Sequence, residues 1–188
     1  MPLAAAVGLL FNRVMAAARP KVQFKSWLLI PAIAAAGLLI GVCSVWYPEL
    51  PGNGRSVLTV SVNSSFTLGA AAIVFLLKPL LTALFLRTGA VGGLLTPALA
   101  TGAAAGSAAA LAVNQWAGTG IHVSAVALTC AAGVLAVTQR APAFAALFVW
   151  ELAEPPYWFL IVFAVAAYAA HGLRLLREQQ QRSQETQG

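Results

Sequence analysis

Long apolar runs, broken by glycine and proline rather than by charged loops, constrain this chain more than any other feature. Trp27 to Tyr47 carries no charge, is rich in Leu, Ile and Ala, and ends with Trp46 and Tyr47, aromatics of the kind that sit at a membrane–water boundary. A bilayer core about 30 Å thick requires about 20 apolar residues per spanning helix, and most of the 188 residues are spent on such runs. Only 9% of side chains are charged against 60% hydrophobic, whereas soluble domains carry about 25% charged residues. That leaves too little polar surface for a water-soluble globule and argues against a soluble enzyme or a nucleic-acid binder; no enzymatic activity is expected. The net charge of +6 comes from scattered Lys and Arg, without the clustering and interleaved aromatics of a nucleic-acid footprint. Cys43 and Cys130 lie inside apolar stretches and form neither a CxxC pair nor a disulfide framework.

Pro48 to Arg55 is a cluster of breakers and must be a loop. Val57 to Val62 is apolar but too short to span, and the polar pause Asn63-Ser64-Ser65 follows it. Phe66 to Leu86 is a span with Lys78-Pro79 at its centre. An ammonium there costs about 2.5–3.5 kcal/mol on insertion scales, so Lys78 is expected to face protein or a wet cavity. Arg87 to Gly93 breaks the helix, and Leu94 to Val113 resumes it with the Gly102/Gly106 spacing that lets helix backbones approach closely. Val123 to Val137, Ala143 to Leu152 and Tyr157 to Ala170 are further apolar helices, separated by Arg140-Ala141-Pro142 and Glu154-Pro155-Pro156. Met1 to Ala18 has no basic n-region and reads as a helix rather than a cleavable signal. Runs shorter than a span, ended by Gly or Pro, are the pattern of discontinuous helices whose ends stop inside the membrane around ion sites.

The segment Lys78 to Gly102, with Gly89-Ala90-Val91-Gly92-Gly93-Leu94-Leu95-Thr96-Pro97 at its centre, closely resembles the chloride channel and proton-coupled chloride antiporter (ClC) family. Gly93 to Pro97 stands at that family's Gly-x-Phe-x-Pro motif, which opens a helix aimed at the bound anion. Gly8 to Arg13, Pro48 to Gly54 and Ala132 to Glu151 are similar to the same family in the same order. The resemblance implies an all-α integral membrane protein of tilted and discontinuous transmembrane helices. Residues 1–173 would form the second half of an inverted-repeat ClC-type domain, followed by a polar cytoplasmic tail over 174–188, solvated and disordered beyond Leu176. It implies a multi-pass protein of the cell membrane, the bacterial inner membrane, with chloride as the transported ion and no cofactor.

The motif also has a physical reading of its own. Gly89, Gly92 and Gly93 permit a sharp turn, and Pro97 fits the first helical turn, where its missing N–H is not needed. The N–H groups of Gly93, Leu94, Leu95 and Thr96 are then the expected anion-binding set, at the positive end of a helix dipole. The competing reading is that Gly92-Gly93 is only a tight link between packed helices. Lys78 likewise has two readings, a structural one that neutralises helix carbonyl ends and an electrostatic one that draws anions inward.

Three departures from the family pattern matter. The sequence contains neither the Gly-Ser-Gly-Ile-Pro stretch with its coordinating serine nor the Gly-Arg-Glu-Gly-Pro stretch with its gating glutamate. The five glutamates fall in turns, helix ends and the tail, so the chain is expected to need a separately supplied first half to form a gated pore or couple protons. The anion-contacting tyrosine of the last family helix is missing, because Leu173 to Arg177 contains none and Tyr168 belongs to the preceding helix. Leu95 replaces the motif Phe, which is tolerable where backbone N–H groups bind.

Arg140 reads as a helix-end anchor, Glu151 and Glu154 as a helix end and its turn, and the isolated His122 and His171 do not suggest a metal site. The apolar exteriors of Met1–Met15, Ala143–Leu152 and Tyr157–Ala170 are either a homodimer face or lipid-facing. The positive-inside rule places both Arg13–Lys25 and the tail in the cytoplasm, whereas family topology puts the loop near residues 18–26 outside. The main alternative function is a non-transporting helical membrane scaffold, or an inactive relative, whose glycines serve only packing.

Overall fold

The computed structural model describes residues 1–19, 26–51, 55–63, 66–90 and 92–185. Lys21, Lys25, Gly52 to Gly54, Ser64, Ser65 and Val91, which carry parts of the sequence reading, lie outside the described residues. Among the described residues eight helices follow one another: α1 (Pro2–Ala18), α2 (Ser26–Trp46), α3 (Arg55–Val62), α4 (Leu68–Arg87), α5 (Leu95–Ala117), α6 (Val123–Gln139), α7 (Pro142–Ala153) and α8 (Phe159–Glu185). Among the described residues, α2, α4, α5 and α8 contain stretches long and apolar enough to cross a bilayer. Helices α1, α6 and α7 are apolar but shorter, as the interrupted runs predict.

The middle of the bundle is the α5–α6 pair. From Ala98 to Ser107, mostly Ala and other small residues, α5 is buried on every face, and α6 is buried along most of its length, with Ala131, Val134, Leu135 and Ala136 fully enclosed. Helices α1, α7 and α8 pack around α6, while α3 and α4 pack on α5. The close approach is set by Gly102 and Gly106. A Cβ on Gly102 would lie 2.8 Å from Ala131 Cα, and one on Gly106 would lie 2.7 Å from Val126 O and 2.8 Å from Ala127 Cα. Between helices in an apolar solvent the driving force is van der Waals contact, so backbone proximity substitutes for the hydrophobic effect. By contrast α2 rests mainly on α4 among the described residues and presents Ile30, Leu38 and Val45 outward, with exposed Trp27 and Trp46 at its two ends. That is the profile of a lipid-facing span with interfacial anchors.

The carboxyl-terminal helix differs from expectation. It does not stop near Ala170 but runs unbroken to Glu185, so Tyr168 and Arg174 share one helix. Two physical causes are visible. Leu, Arg, Glu and Gln, which dominate Leu173 to Gln181, are good helix formers. Arg174 is also buried rather than solvated: its Nη1 donates to the carbonyl of Val137 at 3.3 Å, near the carboxyl end of α6, while Nε and Nη2 donate to Glu178 Oε1 at 2.8 and 2.7 Å. A guanidinium at a helix carboxyl end complements the dipole there, and the tie fastens the start of the polar extension to the core.

Candidate functional site: the turn between α4 and α5

The site is built from two helix ends of opposite character. Helix α4 closes its own carboxyl end. Gly89, at φ +89°, donates to Leu86 O (3.1 Å), and Ala90 donates to Phe85 O (3.2 Å), the paired bonds of a Schellman cap. Thr88 Oγ1 adds a bond to Phe85 O at 2.7 Å. The carbonyls that would repel an anion are therefore largely engaged within α4.

The amino end of α5 is left open. Leu94 is its N-cap, and no side chain caps the helix. The first bond closing the turn is from Ala98 N–H to Leu94 O at 3.1 Å, and Pro97 in that turn has no N–H to offer. The backbone N–H groups of Leu94, Leu95 and Thr96 precede that bond, where a helix has no partner of its own for them. Gly92 and Gly93 are exposed, and a Cβ built on either would meet none of the described residues within 4 Å. Packing does not require glycine at these two positions, which weakens the reading of Gly92-Gly93 as a tight link. A cavity of about 250 Å³ lies between Thr82, Phe85 and Leu86 of α4 and the turn from Ala90 to Leu94.

Lys78 is 4% exposed and its Nζ donates to the carbonyl of Leu50 at 2.6 Å, in the loop between α2 and α3. It does not line the cavity, although Thr82, one turn further along α4, does. It is a buried cation that satisfies a loop carbonyl and pins the segment leading into α3, whereas the structural reading has it neutralise helix carbonyl ends. The sequence reading singled out Lys78 and overlooked Thr82, whose only signal is its spacing of one helical turn from that lysine.

The remaining candidates fall elsewhere. Arg140 takes the left-handed conformation (φ 59°) at the end of α6 and is exposed, and Glu154 does the same (φ 45°) at the end of α7. His122 is the N-cap of α6 and His171 lies on α8. Among the described residues no group of three or more His, Cys, Asp or Glu is placed to hold a metal ion. Cys43 and Cys130 are free thiols.

The profile described as Voltage gated chloride channel matches residues 2–173. The H(+)/Cl(-) exchange transporter ClcA of Cronobacter sakazakii is 27% identical over 156 residues, covering 79% of this chain and 33% of that protein. The ClcA of Citrobacter koseri is 28% identical over 158 residues, covering 79% and 32%. The putative chloride channel protein ClcB-like of Ralstonia nicotianae is 32% identical over 129 residues, covering 64% and 28%. The chain thus spans about a third of the length of the relatives it matches. With four helices able to cross a bilayer and a match running from α1 into α8, it is a multi-pass membrane protein that belongs to the voltage-gated chloride channel family.

Proposed function

We propose that the chain supplies one side of a chloride-binding site in a membrane anion channel or transporter, through the backbone N–H groups of Gly93, Leu94, Leu95 and Thr96. The observation that carries this reading is the open space around Gly92 and Gly93 beside an uncapped helix amino terminus. Partial positive charge from aligned peptides attracts a small anion without a fixed cation, so the ion can also leave. The closed carboxyl end of α4 supports the same sign of potential.

The named relatives are chloride transporters or channels, and this chain matches about a third of each. The remaining donors and the gating carboxylate are therefore assigned to a first half that faces the same anion. Lys78 acts in this reading as the residue that fixes the α2–α3 loop against α4, not as an anion ligand.

Chloride flux into liposomes tests the proposal, with the chain reconstituted alone and together with the first half of a family member. Flux only in the combined sample, lost with Leu94→Pro, is the expected result. Flux from the chain alone would refute the need for a second half. Absence of flux in the combined sample, with both parts correctly assembled, would favour the scaffold reading.

A further inference from the structure

The cavity at the α4–α5 turn has an uneven lining. Phe85, Leu86 and Ala90 make its walls apolar, and the peptide groups of Gly92 to Leu94 lie on one side. Among the described residues, Thr82 is the one lining residue with a polar side chain. Its Oγ1 donates to the carbonyl of Lys78 at 2.8 Å, one turn back along the same helix. Such a back-bond is local and optional, since that carbonyl is also an acceptor in the helical ladder and the hydroxyl can rotate to another acceptor.

An anion entering this space loses water on the α4 side, where apolar atoms return nothing for the lost hydration. We propose that Thr82 is an anion-contacting residue that sets selectivity: its hydroxyl turns from the Lys78 carbonyl to the halide when the cavity is occupied. The site then has a side-chain donor from α4 opposite the backbone donors of α5. The inference rests on the chloride-site reading above and adds to it the group that distinguishes anions. A hydroxyl donor favours a small, strongly hydrated anion such as chloride. Apolar walls alone favour a large, weakly hydrated one such as thiocyanate.

The test is chloride binding to the full chain assembled with the first half of a family member in detergent micelles, read from ³⁵Cl NMR line broadening, with thiocyanate as competitor. Four proteins are compared: wild type, Thr82→Val, Thr82→Ser and Leu94→Pro. Thr82→Val is expected to weaken chloride about tenfold, the size of one hydrogen bond to a charged group, while thiocyanate changes little, so their ratio inverts or narrows by the same factor. Thr82→Ser keeps the wild-type ratio, which a purely steric role for the side chain would not predict. Thr82→Ala repeats the loss of the hydroxyl if the valine variant does not fold. An unchanged ratio in the valine or alanine variant, with binding abolished by Leu94→Pro, overturns the role of Thr82 and leaves the chloride site standing. No chloride-specific broadening in the wild type, or broadening indifferent to Leu94→Pro, overturns the site and the inference together.

Discussion

Two glycine pairs, one just before α5 and one within it, do opposite things. At Gly102 and Gly106 an added methyl group would collide with the backbone of α6 at 2.8 Å or less. At Gly92 and Gly93 it would touch none of the described residues within 4 Å. The first pair is glycine because two helices must come together, so its role ends in packing. The second has no packing reason, and it sits beside peptide N–H groups that the fold leaves open. Steric demand therefore separates glycines that hold the bundle from glycines that keep a surface accessible, a distinction that composition cannot make.

The largest effect expected is at the closed pair. Gly106→Val forces α5 away from α6 and is predicted to cost about 3 kcal/mol or more, seen as loss of the monodisperse peak after mild heating in detergent. A variant that keeps wild-type thermal stability would break the comparison at its firmer end.

The loop between α2 and α3 is held by a polar tie added to close packing, with Leu50 and Val57 buried in one cluster with Val74 and Ala104. Lys78→Met leaves the buried Leu50 carbonyl without its partner, an expected loss of about 1–3 kcal/mol. Hydrogen exchange should rise from Tyr47 to Leu50 and in α3 while α6 stays protected. Equal loosening of α6 would mean that the two regions are not separately supported.

Gly89 sharpens the boundary between them. Its φ of +89° is unfavourable for any residue with a Cβ, so Gly89→Ala should lower stability by about 1–2 kcal/mol. Calorimetry of the purified variant would test this, and a neutral result would show that the cap can rearrange. The smallest stability effect belongs to Gly93→Ala, within about 0.5 kcal/mol of wild type, because φ is not positive there and the space is free. The same variant should nevertheless weaken chloride binding, since its methyl group occupies the approach to the N–H groups. Loss of stability comparable to that of Gly106→Val would erase the difference between the pairs.

Much of the architecture was legible because helices form from local signals. The uncharged run from Trp27 to Tyr47 marked α2, Lys78-Pro79 sat inside α4 as read, and Arg140-Ala141-Pro142 separated α6 from α7. Pro97 lies in the first turn of α5, where its chemistry allows it. The end of α8 was misjudged, because a run rich in Gln, Arg and Glu reads as disordered when taken alone, whereas it is helical and, beyond Arg174, largely exposed. Arg174 finds its acceptor on Val137, in a different helix.

The sequence by itself determined where most helices start and stop, the end of α8 excepted, that they belong in a bilayer, and that a glycine-rich break precedes a helix opened by Thr96-Pro97. Side-chain size, proline geometry and apolar run length act within a few residues and need no partner. Only the tertiary structure decided which glycines touch another backbone, which carbonyl receives Lys78, and that Thr82 shares a cavity with Gly92, Gly93 and Leu94. These depend on the distance between segments far apart in the chain, a quantity set by how whole helices pack.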